Sequence, residues 1–381
     1  MFPTTSDVVV IGAGPAGLTT AVALAQAGQS VTVVDNQGQG DNTSRAAVVH
    51  SHTLETLAPY GVTGRLVAEG IHAPRFTIRD RDRVLVPVPF DGLPTPYPYT
   101  LMISQAQTEA ALLDRLTDLG VTVRRPYSAS SVTQDDDGVT VTFTTGEQIR
   151  AQYVVGADGM HSTVRDQAGI GFSGDTYQES FVLADVRLTG GAPDDEVILY
   201  FSPAGLVVVA PLPGGVHRVV ATVDEAPQRP DASFVQNLLD TRGPQAERAE
   251  VREVVWSSRF RVHHRVADRY RNGRILLAGD AAHVHSPAGG QGMNAGITDA
   301  VSLAESLRQV LDGGSPELLD SYGATRRPVA LQVVSLADRL TKLATASAAK
   351  RPVRNVVLGL LGRIPAFRRR LAYRLSGLVY R

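Results

Sequence analysis

The segment Val8-Val-Val-Ile-Gly-Ala-Gly-Pro-Ala-Gly17 decides the fold class of this 381-residue chain. Val8 to Ile11 is a wholly apolar run, as expected of a strand buried on both faces. Gly12, Gly14 and Gly17 follow in the order G-x-G-x-x-G, with Ala16 before the last, and Leu18, Val22, Leu24 and Ala25 then recur at helical spacing up to Gly28. Strand, glycine turn and helix in that order form a dinucleotide-binding fingerprint, because glycines let an anion approach the backbone N–H groups at the helix start. The next strand, Ser30 to Val34, ends in Asp35, where a carboxylate can accept from the ribose hydroxyls of an adenosine half.

Composition sets wider limits. Hydrophobic residues make up 43% of the chain, which supports two substantial domains or one domain with an insert. A formal net charge of −1 gives no overall field toward nucleic acid, and none is expected as a partner. The absence of cysteine excludes disulfides, thiolate metal sites, iron–sulfur clusters and cysteine nucleophiles. Residues 8 to 28 lack the basic leader of an export signal, and no other run has the length of a membrane span, so a cytoplasmic protein is expected.

Two further strand ends repeat the pattern of apolar run, acid and glycine. Tyr153-Val-Val-Gly-Ala-Asp158-Gly159 leads to Ser162 and Arg165; Ile275-Leu-Leu-Ala-Gly279-Asp280 leads through His283 and Pro287 to Gly289, Gly290 and Gly292. Acids at neighbouring strand ends can hold one extended polar cofactor, and a glycine turn entering a helix near Gly292 offers a second positive helix end. Ser104 and Gln107 have the form of a capping box, with Gln105 in the first turn of the helix that follows. Arg45 follows a polar loop and is read either as a cofactor contact or as a surface Arg at a helix start. The His-Val-His segment from His283 to His285 lacks a carboxylate at helpful spacing, so no metal site is expected and His283 is read as part of the turn.

Elsewhere the spacing predicts short strands at Phe76–Arg79 and Val84–Val88, and three more at Val121–Arg124, Ala129–Gln134 and Val139–Thr144. From Phe172 to Arg271 strands follow one another with short turns: Val182–Leu188, Val197–Phe201, Leu206–Pro211, Val216–Val223 and Val254–Val262, with a helix near Ser233–Asp240. That texture means a mostly antiparallel sheet, read as the substrate-facing part, and alternation leaves open whether Tyr200 or Phe201 points inward. Helices are expected over Ala300–Leu311 and Leu318–Thr345. The last 43 residues hold eleven Arg or Lys and no acid, with Val353, Val357, Leu360, Leu361 and Ile364 at helical spacing before Pro365. Such a tail is expected to dock on the acidic body of its own protein; a membrane-surface anchor is the alternative.

Gly12-x-Gly14-x-x-Gly17, the Asp158–Gly159 pair with Ser162 and Arg165, Gly279-Asp280-Ala-Ala-His283, and Pro287-x-Gly-Gly-Gln-Gly292-Met-Asn294 occur here in fixed order. Together they resemble the FAD-dependent aromatic hydroxylases of the para-hydroxybenzoate hydroxylase type, the group A flavin monooxygenases, over about residues 6 to 335. The resemblance implies an α/β (α+β) fold: a discontinuous Rossmann-like FAD-binding domain at 1–74, 98–174 and 268–345, and a mostly antiparallel substrate domain at 75–97 and 175–267. A basic helical extension at 346–381 would follow. It further implies that Gly12, Gly14, Ala16 and Gly17 cradle the pyrophosphate, that Asp35 takes the adenosine ribose, and that Gln105, Gly279, Asp280 and Gly290 contact the cofactor. Arg45 and Asp158 would serve both FAD and the incoming nicotinamide cofactor. Pro287 would line the flavin face, while backbone N–H groups of Gly292, Met293 and Asn294 would face N1 and O2 of the flavin ring.

The reaction so implied uses NADPH or NADH and O2, through a flavin C4a-hydroperoxide, to hydroxylate or epoxidise a small aromatic or polycyclic molecule. The thioredoxin-like C-terminal domain of larger members is not expected in this sequence. Trp256 is the only Trp, which excludes the Trp-x-Trp motif of flavin halogenases, and no Tyr stands four residues before Lys342 or Lys350, as a short-chain dehydrogenase requires. An FAD-dependent reductase on the same fold and a non-catalytic flavin-binding protein remain as alternatives.

Overall fold

A computed structural model describes residues 2–39, 46–344, 346–347 and 349–381. Its first sheet has seven strands, in the order Arg271–Asn272, Ile275–Leu277, Gln148–Gly156, Thr5–Ile11 and Val31–Val34, with Val139–Phe143 paired to Gln148–Gly156 and Ala129–Gln134 paired to Val139–Phe143. The pairings among Val31–Val34, Thr5–Ile11, Gln148–Gly156 and Ile275–Leu277 are parallel, which brings their carboxyl ends to one edge. Val8, Val9 and Val10 are fully buried, as expected where both faces of a parallel sheet are covered.

Helices α1 (Pro15–Gln26), α2 (Ser51–Leu57), α3 (Thr63–Glu69), α4 (Gln105–Asp118) and α5 (Thr163–Gln167) belong to this layer. The capping box of α4 forms as read: Ser104 Oγ accepts from Gln107 N while the Gln107 side chain accepts from Ser104 N.

The second sheet has eight strands, in the order His283–Val284, Glu250–Ala267, Phe172–Thr189, Val216–Val223, Gly205–Leu212, Glu196–Ser202, Arg75–Asp80 and Arg83–Pro89. It is antiparallel except where Glu196–Ser202 runs parallel to Arg75–Asp80. One face packs on α6 (Ala232–Arg242) through Tyr200, Val207, Val209 and Val219; the alternate residues Phe201, Val208 and Val220 face the other way. Alternation with period two thus selects the register in which Phe201 points inward and Tyr200 lies under α6.

Helix α7 (Gly292–Leu311) returns to the first layer and packs on α1, and α8 (Leu318–Ala344) packs on α7. Helices α9 (Arg351–Leu361) and α10 (Pro365–Leu375) close the chain against the Arg83–Pro89 strand, where Leu358, Ala372 and Leu375 join Leu85, Val86 and Phe90 in one apolar cluster. The helical run is interrupted before Pro365, as its spacing predicts. Pro365 begins α10, at a position where the missing N–H has no intrahelical partner to lose.

Three expectations change. No strand forms over Val121–Arg124; Arg124 alone bridges Val34, and the chain then reaches Pro126, which has no N–H for a ladder. The strands expected at Val182–Leu188 and Val254–Val262 are parts of two 18-residue strands, Phe172–Thr189 and Glu250–Ala267. Their ends carry exposed polar residues such as Asp175 and Arg252, so the apolar alternation stops while backbone pairing continues. A three-stranded sheet of Val48–Val49, Thr100–Met102 and Ile71–Ala73 was not expected, because two or three residues carry no readable period.

Candidate active site

A cavity of about 480 Å³ lies where the carboxyl edge of the first sheet meets the inner face of the second. Its walls include Gly14 and Ala16 from the first glycine turn, Phe181, Phe201 and Phe260 from the second sheet, and Pro287 and Met293 from the chain's last third.

The turn before α1 can be built only with glycine. Gly12 has φ 105°, and a Cβ there would lie 2.2 Å from the Ala157 carbonyl oxygen; a Cβ on Gly17 would lie 1.9 Å from the Gly12 carbonyl oxygen. Gly14 is different: a Cβ there would meet no atom within 4 Å, because Gly14 borders the cavity. It is also the N-cap of α1, a helix without a side-chain cap or an acid in its first turn. The helix's first N–H groups and its positive end therefore face an anion-sized space rather than a protein group.

The turn before α7 repeats this arrangement. Gly289 and Gly290 have φ 85° and 63°, and a Cβ on Gly290 would lie 2.1 Å from Val48 Cγ1. α7 begins at Gly292 with neither a side-chain cap nor an acid in its first turn, and Pro287, Gly290, Gly292 and Met293 all line the cavity. Asn294 is buried, and its side chain fastens the turn: Oδ1 accepts from His50 N at 2.8 Å, and Nδ2 donates to Gly290 O at 2.8 Å and to Val48 O at 3.0 Å.

The acids divide. Asp280 lines the cavity next to Gly279, whose Cβ would lie 2.8 Å from Ala16 Cβ. Gln105 also lines it, while donating to Glu109 Oε1 at 2.8 Å; burial raises the Glu109 pKa. Asp35 is drawn into the turn itself: Oδ2 accepts from Ala13 N at 2.7 Å, and Oδ1 from Gln37 N at 2.8 Å and Arg125 Nη1 at 3.0 Å. Asp158 is not brought to the cavity with its neighbours Ala157, Gly159 and Met160. Its short carboxylate turns to the start of α5, accepting from Ser162 Oγ at 2.5 Å and from Val164 N at 3.1 Å, and burial raises its pKa. Asp158 thus shapes the turn that presents Ala157, Gly159 and Met160 to the cavity, beside the role toward the cofactors that the resemblance implies. Arg45 lies outside the described residues.

Sequence reading missed His50 and Arg218 at the site, and took His285 only as part of the His-Val-His segment. Buried His50 donates from Nε2 to Gly289 O at 3.0 Å, and His285 donates from Nδ1 to Ser286 O at 2.7 Å, leaving its Nε2 without a partner among the described residues. Burial lowers both imidazoles to about 4, so each is neutral beside the α7 turn. Arg218, buried, pairs bidentately with Asp185 at 2.7 Å per bond and donates to Ala46 O at 3.0 Å, tying the second sheet to the loop that lines the cavity. A buried Arg in a valine-rich strand was its one sequence signal. His283, by contrast, lies away from the cavity, with Nε2 2.7 Å from Asp299 Oδ2, and Asp299 also accepts from Arg326.

The donor set fits FAD. Two uncapped helix ends face one cavity, and the open space at Gly14 is where a pyrophosphate would need close backbone approach.

The FAD binding domain family matches residues 5–337 of the chain. The 6-methylpretetramide 4-monooxygenase of Streptomyces rimosus is 38% identical over 380 residues, covering 97% of this chain and 68% of that protein. Among solved structures, p-nitrophenol 4-monooxygenase from Pseudomonas putida superposes with a TM-score of 0.85 at 28% identity, covering 99% of both chains. An anhydrotetracycline hydroxylase from Streptomyces rimosus gives a TM-score of 0.81 at 34% identity, over 98% of this chain and 76% of that one. Two turns that only glycine can form, set on the parallel sheet edge of a fold shared along its whole length, leave one assignment: the chain belongs to the FAD-dependent aromatic hydroxylases, single-component flavin monooxygenases built on this FAD binding domain.

Proposed function

We propose that the chain hydroxylates an apolar polycyclic aromatic compound, consuming NADH or NADPH and O2. The observation that carries this reading is the apolar wall that the second sheet gives the cavity. Phe181, Leu199, Phe201, Val208, Val220 and Phe260 form that wall, and Asp280, beside the first glycine turn, is the one acid among the described lining residues. Fused rings would fill such a space by apolar contact, and Arg218, Arg261 and His263 in the same lining offer partners to a polar or anionic substituent. Relatives that act on 6-methylpretetramide and anhydrotetracycline support the same substrate class.

Bound FAD supplies two-electron reduction by NAD(P)H and activation of O2, one oxygen atom going to an electron-rich ring and the other leaving as water. The chain's residues do the rest. Gly12, Gly14, Ala16 and Gly17 admit the pyrophosphate to the α1 terminus; Asp35, Gln105, Gly279 and Asp280 hold polar groups along the sheet edge. N–H groups of Gly292, Met293 and Asn294, with the positive end of α7, would hold the flavin ring and favour negative charge on it by about 0.3–2 kcal/mol. Pro287 and the apolar walls exclude water from the reacting oxygen. On this reading 1–74, 98–174 and 268–345 serve the cofactor, 75–97 and 175–267 serve the substrate, and 346–381 closes the cavity through Leu371 and Leu375.

NAD(P)H oxidation measured with a panel of phenols tests the proposal. Polycyclic phenols should stimulate it strongly; stimulation by small benzoates alone would overturn the substrate class.

A further inference from the structure

Helix α9 is amphipathic in the wrong sense for a surface helix. Its inward face carries Arg354 and Asn355, both buried: Arg354 Nη2 donates to Phe201 O at 2.9 Å and Nη1 to Leu343 O at 2.8 Å, while Asn355 Nδ2 donates to Asp80 Oδ2 at 2.8 Å. Leu358 is its one buried apolar residue. Its outward face carries Val353, Val356, Val357 and Leu360, exposed by 66%, 57%, 48% and 57%, and Ile364 just beyond the helix is 48% exposed. Those positions form one helical stripe, and an apolar stripe normally faces the core. A contiguous exposed apolar surface marks a site of association.

The charge of the segment that carries the stripe selects the partner. Lys350, Arg363, Arg369 and Arg370 are exposed, and the 43 residues from Arg339 onward contain eleven basic residues and no acid. A second copy using the same face would be isologous and would set these cations against themselves. An anionic lipid surface has no such cost: it attracts the arginines and takes the valines and leucine into the headgroup–acyl boundary. We propose that the outward face of α9, from Val353 to Ile364, is a reversible docking surface for an anionic membrane. No helix among the described residues is long and apolar enough to cross a bilayer, so the contact is interfacial.

Flotation of the FAD-loaded protein with phosphatidylglycerol–phosphatidylcholine vesicles, and with phosphatidylcholine alone, tests this. The wild type should float with the anionic vesicles, less so at high salt, and not with the neutral ones. Arg369→Gln with Arg370→Gln should weaken binding about 25-fold, at about fivefold for each charge. Val356→Asp with Leu360→Asp should abolish it, while FAD content, thermal transition and solution NAD(P)H oxidation stay unchanged in both variants. Failure of the wild type to float at low salt, equal binding to neutral vesicles, or unaltered binding of the variants would overturn the proposal. So would a dimer, seen by light scattering, that the Val356→Asp, Leu360→Asp variant dissociates, since the face would then belong to a second copy.

Discussion

A Cβ on Gly17 would lie 1.9 Å from the carbonyl oxygen of Gly12, whereas one on Gly14 would meet no protein atom within 4 Å. The first contact belongs to the fold and the second to the cofactor. Gly17→Ala should therefore destabilise the apoprotein, by about 1–3 kcal/mol or more, because the turn and α1 must separate. Gly14→Ala should leave the apoprotein's thermal transition nearly unchanged and lower FAD affinity. Thermal melts of both apoproteins with fluorescence titration of FAD separate the two effects; undiminished FAD affinity in Gly14→Ala would remove the pyrophosphate from this turn.

Tyr200 and Phe201 are both almost fully buried, yet only Phe201 lines the cavity; Tyr200 packs beneath α6. Phe201→Ala should raise KM for a polycyclic substrate roughly 10-fold or more through lost apolar contact. Tyr200→Ala should instead cost about 3–5 kcal/mol of stability with little change in KM of the folded fraction. Steady-state kinetics beside denaturant titrations check both, and the reverse pattern would contradict the register.

His50 and His285, each lowered to about 4 from 6.5, remain neutral in the folded protein. The unfolded chain binds these protons as the pH falls below 6.5, while the folded protein binds them only near 4. Stability is therefore full above that upper value and declines through the window, by about 1.4 kcal/mol per pH unit for each histidine. Denaturant midpoints across the window should show this slope, and His285→Gln should make it shallower. A slope unchanged in that variant would show that His285 is protonated in the native state.

Arg218 joins the second sheet to the Ala46 loop through its pairing with Asp185. Arg218→Ala leaves a largely buried carboxylate unpaired, at a cost of about 3 kcal/mol or more. Arg218→Lys keeps the charge without the fork geometry, and should raise the NAD(P)H consumed per hydroxylated product by letting the loop shift. Product yield per NAD(P)H measures that coupling directly; unchanged coupling would make the pairing purely structural.

What the sequence disclosed, and what it withheld, follows from range. Gly12 to Gly17 with the preceding valines is a local pattern, as is the capping box of Ser104 and Gln107, and each could be read from a few adjacent residues. Asp158 and Asp280 look alike in sequence, since both end an apolar strand beside glycine. Only the fold shows that Ser162 and Val164 capture the first, whereas the second lines the cavity. His50 meets Gly289, and Arg218 meets Ala46, across more than 170 positions, so no local period announces either contact. The tail's helical spacing was legible as well, but its orientation was not: the buried partners of Arg354 and Asn355 lie in distant strands, and they turn the valines outward.

The central claim is that one cavity holds FAD and an apolar polycyclic substrate for transfer of an oxygen atom from O2. Mass spectrometry of the product formed under isotopically heavy dioxygen, with NAD(P)H and a stimulating polycyclic phenol, tests it most directly. The account predicts one labelled oxygen atom in the product for each NAD(P)H oxidised in a coupled turnover. Product that carries oxygen from water, or reduced substrate without any label, would contradict it.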